Sequence, residues 1–312
     1  MTGHDRAKAD GQQTVVPGAR FESYYGRPVV KEPVWRMPEA PSYLFFGGLA
    51  GASSLLGAFA QLTGNRDLAR VSKTGAAAAI SLSVAALVVE LGRPARFLNM
   101  LRVFKVTSPM SVGSWLLAGY GPAASAAAVS ALTGRAPRAG AAASALAAAL
   151  GSGVATYTAA LFANTAVPAW HEGYREMPYL FAGSAATAAG GLGMLATRPD
   201  GARQAVRFAV LGAATEMTAK SMLVKRLGEL AEPYQRGRVG QLLEAGEVLA
   251  AAGLAGAVLG SRSRTATALS GLALLASSAL TRFGIFMAGR TSARDPAYTI
   301  GPQRKRILSS EQ

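Results

Sequence analysis

Apolar runs of about the length that crosses a bilayer recur through this chain, and they restrict its fold more than anything else in it. They fall at approximately Tyr43–Leu62, Lys73–Leu91, Ser111–Leu132, Gly140–Asn164, Pro178–Ala196, Gln204–Leu223, Gly240–Leu259 and Thr265–Ala288. A hydrocarbon layer of roughly 30 Å needs about 20 apolar residues of helix, and within it only helices or closed barrels satisfy their own backbone. The runs lack the polar stripe that a soluble helix must present to water. They are rich in alanine and carry many of the chain's 36 glycines, small residues that let helices approach closely inside a membrane. The expected fold is therefore an all-α integral membrane bundle of eight transmembrane helices.

Around that bundle the expected organisation is an N-terminal arm over residues 1–42, partly disordered, a transmembrane domain over 43–288 and a tail over 289–312. The arm shows no signal-peptide pattern and ends in an aromatic cluster of Tyr24, Tyr25, Trp35 and Tyr43. Stop signals separate the runs, among them Thr63-Gly64-Asn65, Thr133-Gly134 with Pro137, and Arg198-Pro199-Asp200-Gly201. Tyr43-Leu44-Phe45-Phe46-Gly47 opens the first run and Tyr179-Leu180-Phe181-Ala182-Gly183 the fifth. Four spans lie between these copies, so they predict two parallel four-helix halves, at about 43–164 and 178–288.

Charge sets the expected orientation. With an even number of spans both termini share a side, and 21 of the 32 Lys and Arg residues fall on that side against 10 on the other, with Arg282 inside the last run. The positive-inside rule then places both termini in the cytoplasm of a multi-pass cell-membrane protein. A net charge of +15 needs no nucleic acid to explain it, since excess cations in such a chain serve topology and anionic lipid. No motif of interleaved aromatic and basic residues argues otherwise.

Redox groups are limited by residue type. The chain has no cysteine and two histidines, His4 and His171, neither in a span. It therefore cannot ligate an iron–sulfur cluster through thiolates, nor clasp a haem between histidines on facing helices. No metal site is expected.

The densest polar chemistry lies from Glu90 to Leu117. An acid, Glu90, closes an apolar run before Gly92, and Arg93, Arg96, Arg102 and Lys105 follow before Thr107-Ser108-Pro109 breaks the chain. A mere connection needs only a few residues. This one mixes four cations with aromatics and reads as a docking or binding surface. Ionisable residues within the runs, costly there and functional by default, are Glu90, Glu216, Lys220, Glu244, Glu247 and Arg282. All of them lie in the half nearer the termini, with none expected in the other half. Glu216–Lys220 and Glu244–Arg282 are plausible structural pairs, and Trp115 and Trp170 plausible interfacial anchors.

The stretch Glu90-Leu91-Gly92-Arg93-Pro94-Ala95-Arg96-Phe97, continued by Asn99-Met100-Leu101-Arg102-Val103-Phe104-Lys105 and Ser108 to Trp115, resembles the NrfD/PsrC family. Ala163 to Glu172 and Tyr24-Tyr25-Gly26-Arg27-Pro28 resemble it too. The resemblance implies the membrane subunit of a molybdoenzyme complex with no prosthetic group of its own. Such a subunit takes up menaquinone or ubiquinone as an exchangeable ligand and docks a ferredoxin-like four-cluster iron–sulfur subunit, itself bound to a molybdopterin catalytic subunit. On that reading Glu90, or else His171 with Glu172, carries protons for the quinone. Arg93 or Arg96 holds negative charge on the ring or fixes the carboxylate, Tyr43 or Trp115 stacks on it or hydrogen-bonds to it, and Arg102 and Lys105 dock the partner. The chain completes an enzyme without being one alone. Two other readings are a secondary transporter or proton-conducting protein, and a membrane anchor without quinone chemistry.

Overall fold

A computed structural model describes residues 30–93, 95–260 and 263–300. The Tyr24–Pro28 motif, Pro94 and the segments before residue 30 and after residue 300 lie outside them.

Eight of the helices are long: α1 (Glu39–Leu62), α2 (Arg66–Glu90), α4 (Pro109–Thr133), α5 (Pro137–Ala163), α7 (Met177–Ala196), α8 (Pro199–Leu227), α10 (Gly237–Leu259) and α11 (Arg264–Arg294). Three short ones, α3 (Ala95–Met100), α6 (Pro168–Glu172) and α9 (Glu232–Gln235), sit in the connections. Among the described residues there is no strand. Seven of the long helices are long and apolar enough to cross a membrane. The exception is α8, whose 29 residues include Arg203, Arg207, Glu216, Lys220, Lys225 and Arg226. The all-α expectation holds, while the expected count of eight spans is met by seven helices on these grounds.

Several helices begin or end beyond the expected bounds. The second starts at Arg66 rather than Lys73, because Asn65 caps it, its side-chain oxygen accepting from the Leu68 amide at 3.2 Å. A side chain that accepts from an otherwise orphaned amide favours a helix start there. This corrects the expectation that the half away from the termini holds no ionisable residue. Lys73 is buried well inside α2 and donates to the Gln61 side chain. The last helix likewise runs past Ala288 to Arg294.

The helices alternate between two ends. At one end the links are tight, residues 63–65, 134–136 and 197–198, and side chains tie the first of them to the start of α8. Asn65 Nδ2 donates to the Gly201 carbonyl at 2.8 Å, and Gln204 Nε2 donates to Thr63 Oγ1 at 2.8 Å. At the other end, the arm end, the links are long: residues 91–108, 164–176 and 228–236.

Packing follows one scheme twice. In the first four long helices α1 meets α2, α2 meets α4, α4 meets α5 and α5 returns to α1; α7, α8, α10 and α11 repeat this order. The two rings join where α1 lies against α7 and α11. Helices cross most closely at glycine. A methyl added at Gly51 would enter the Gly151 backbone, and one at Gly191 the Gly271 backbone.

Candidate functional site at the arm end

Described residues 30–38 lie across the arm end as a strap. Glu32 binds Arg290 of α11 at 2.5 Å and Arg294 at 2.8 Å. These two guanidinium groups, Arg294 first, hold the Glu32 carboxyl below the ordinary carboxylate range. Three residues on, the Trp35 ring stacks on Phe162 at 5.3 Å and on Trp170 at 5.5 Å. The Arg36 amide then donates to Glu90 Oε1 at 2.8 Å, so the strap runs from α11 over the aromatic cluster to the end of α2.

Trp170 centres that cluster. It stacks on Phe162 at 4.2 Å with 11° between the planes, and its indole N–H donates to the Ile285 carbonyl at 2.8 Å. Gly289 leaves room for it, since any side chain there would overlap the indole. Trp170 is completely buried and so is not the interfacial anchor its position in a polar loop suggests.

Glu90, the last residue of α2, keeps its second oxygen, Oε2, buried without a hydrogen-bond partner, and so does Glu39 in the first turn of α1. Glu39 lies close enough to act electrostatically on Glu90. Arg93 and Arg96 are not Glu90's partners. Arg93 is exposed, and Arg96 donates to the Leu91 carbonyl at 3.3 Å. Gly92, at φ +70°, takes the left-handed backbone conformation just after Glu90.

Tyr43 lies one turn beyond Glu39 on α1 and is buried, its carbonyl accepting from Ser83 Oγ of α2 at 3.1 Å. Trp115 belongs elsewhere. Its ring meets Phe104 edge-on at 6.2 Å and its N–H donates to the Val103 carbonyl at 3.4 Å. Ser111 joins the clamp, donating to Val103 and accepting from the Lys105 amide. Trp115 thus shapes the hairpin and does not line a pocket with Tyr43. The hairpin itself is exposed: Arg102 and Lys105 stand in water among Leu98, Val103, Phe104 and Val106, each more than half exposed.

His171 and Glu172 lie at the same end, across the aromatic cluster from Glu90. His171 Nδ1 contacts the Ala163 carbonyl at 2.8 Å and so caps α5. The Glu172 carbonyl accepts from Arg226, which also grips Glu176 through two bonds of 2.6 and 2.5 Å. Arg226 holds the Glu176 carboxyl below its ordinary range. Glu90 and His171 are therefore two sites flanking the Trp35–Phe162–Trp170 stack, not one cluster. Among the described residues no group of three or more His, Asp or Glu side chains could hold a metal ion.

Two residues of this site escape sequence reasoning. Glu39 was assigned to the arm because the apolar run opens at Tyr43, although an acid in a first helical turn is itself a signal. Trp35 stands in the expected arm among other aromatic residues, and only the fold shows it seated on Phe162.

Residues 29–231 match the family described as polysulphide reductase, NrfD. No curated protein matches the chain.

Proposed function

Because the chain belongs to the NrfD family and is a multi-pass membrane protein, we propose that it is the quinone-interacting membrane subunit of an oxidoreductase complex. It passes electrons between a docked iron–sulfur subunit and membrane quinone. The observation that carries this reading is the pair Glu39 and Glu90, each with a buried, unpartnered carboxyl oxygen, beside an exposed hairpin of cations and apolar side chains. A carboxyl oxygen with no donor is costly to keep dry and charged, whereas a proton or a ligand hydroxyl satisfies it.

The ferredoxin-like iron–sulfur subunit docks on Leu98, Val103, Phe104 and Val106, with Arg102 and Lys105 steering it, and a molybdopterin subunit stands behind it. Menaquinone or ubiquinone approaches under the strap near Glu90, Glu39 and Tyr43. Its two-electron chemistry needs two protons, and Glu90 delivers them as a general acid–base. His171 and Glu172 form the second candidate relay, and Arg93 or Arg96 offsets negative charge that builds on the quinone ring as it is reduced.

The bundle that presents this site has eight spans in two parallel four-helix halves, with the arm before residue 43, the tail after 288, and both termini cytoplasmic in the cell membrane. The charges of α8 do not forbid it from spanning. Glu216 accepts from Thr281, Lys220 pairs with Glu247 and Arg226 with Glu176. An ionic partner offsets part of the cost of taking a charge out of water, and Lys220 and Arg226 each have one.

Glu90→Gln tests the reading. Glutamine keeps the acceptor for the Arg36 amide and removes the proton, so assembly and iron–sulfur reduction should be unchanged. Quinone turnover per assembled complex should fall about a hundredfold to ten-thousandfold. Turnover near wild type would sink the role of Glu90 and move the proton relay to His171 and Glu172.

A further inference from the structure

The second ring of helices contains an ionic cluster that the arm-end site does not use. Glu216 of α8 is 9% exposed, and Oε1 accepts from Thr281 Oγ1 of α11 at 2.7 Å. Arg282, next to Thr281 and 1% exposed, donates through Nη2 to the Phe181 carbonyl at 2.6 Å and lies over the Phe181 ring at 4.0 Å. Its Nε and Nη1 are buried with no partner. Lys220, one turn beyond Glu216, is bonded to Glu247 of α10. The i,i+4 pair Glu216–Lys220 and the pair Glu244–Arg282 expected from spacing are thus replaced by one across α8 and α10, and Glu244 is exposed.

Charge is therefore unevenly satisfied. Lys220 is engaged by Glu247, and no hydrogen bond or ion pair joins Glu216 to Arg282 among the described residues. From α7 the backbone of Gly183 faces Glu216, and α1 and α2 meet α8 near its other end, at Thr63 and Asn65. Glu216 is left as a buried carboxyl whose bonded partner is a hydroxyl, with the charges of Arg282, Lys220 and Glu247 near enough to act on it. An ion so placed is expensive. A crevice reaches it: Glu216 lines an opening between α8, α10 and α11, walled by Met217 and Leu243, with Lys220, Glu247 and Thr281 at its polar side. The Glu247 side chain is 48% exposed and Lys220 21%, so the polar groups run from the surface inward in order of increasing burial.

We propose that Glu216 is a proton-exchange site, separate from Glu90, that takes a proton from water admitted past Glu247 and Lys220 and returns it by the same opening. In the step a hydronium O–H bond breaks and a Glu216 O–H bond forms. No electron moves, and the carboxyl loses its charge while Arg282, Lys220 and Glu247 keep theirs. This holds whether or not quinone reacts at the arm end.

The test is chemical labelling of the full chain in lipid nanodiscs with dicyclohexylcarbodiimide, an apolar reagent that couples to protonated carboxyls, read by peptide mass. Label should appear on Glu216, decline as pH rises, and vanish in Glu216→Gln, a variant that retains the bond to Thr281. Label on Glu247 but not on Glu216 at any pH would overturn the proposal, because the reagent would have reached the mouth. If neither residue is labelled, infrared titration decides. A protonated-carboxyl band lost in Glu216→Gln supports the site, and its absence overturns it.

Discussion

Removing the Trp35 ring should unseat the strap without unfolding the bundle. In Trp35→Ala two stacked contacts disappear, those with Phe162 at 5.3 Å and Trp170 at 5.5 Å. Aromatic pairs contribute about 0.5–1.5 kcal/mol each beyond area burial, so the strap loses roughly 1–3 kcal/mol. At about 1.4 kcal/mol per factor of ten, local opening becomes some five- to 150-fold more frequent. Trp170 keeps its 4.2 Å stack on Phe162 and its bond to Ile285, so the cluster beneath stays packed. Hydrogen exchange by mass spectrometry reads both parts at once. Peptides covering residues 30–38 should exchange faster by that factor while α5 and α11 are unchanged. An unchanged rate at 30–38 would mean that Glu32 and Arg36 alone hold the strap, and the assignment of the ring as its central anchor would fall.

The strap should also respond to acid. The depressed Glu32 carboxyl contributes attachment that is fully present above its unfolded value and lost as pH falls through its lower folded value. Protection at 30–38, taken relative to the intrinsic amide exchange rate at each pH, should thus fall on acidification in the wild type and be flat with pH in Glu32→Gln, and parallel profiles would refute this. Reversing Arg102 and Lys105 to glutamate should abolish co-purification of the iron–sulfur subunit at moderate salt with helicity unchanged, since exposed cations contribute little to folding; full retention would move docking off the hairpin. A reporter fused after Gln312 should be active only if it works in the cytoplasm, and activity of an exported-only reporter would reverse the orientation.

The bundle was legible because a helix in lipid must be apolar for its whole crossing, and each long helix overlaps one expected run. Its ends were less legible, for a physical reason: an apolar run fades where polar residues gather, whereas a helix stops when its backbone does. Lys73 buries its stem against Gly57 and reaches Gln61, and Arg290 and Arg294 extend α11 because Glu32 meets them. Glu90 and the exposed cationic hairpin could be read directly, since both depend on neighbours in sequence. What surrounds Glu90 could not. Its donor, the Arg36 amide, is 54 residues away, and the cation spacing that pointed to Arg93 and Arg96 says nothing of how Gly92 turns the chain. Helix spacing misled most clearly at Glu216 and Lys220, which share a face but bond to different helices.

The two acids differ in surroundings, and this separates what they can do. Glu90 ends its helix beneath the strap and beside the exposed hairpin, so what reacts there depends on what binds at the arm end. Glu216 lies within α8 and lines a crevice together with Lys220 and Glu247. Between them the contacts run from Arg282 over Phe181, which meets Phe162 edge-on at 6.0 Å, and from Phe162 to Trp35. Those are faces and edges of rings, which transmit packing but carry no proton. A hydrogen-bonded relay from one acid to the other would have to cross that aromatic layer, and none of the polar contacts among the described residues does so. If both acids exchange protons, they draw on different openings and their substitutions act on different steps, as expected of sites that share no partner.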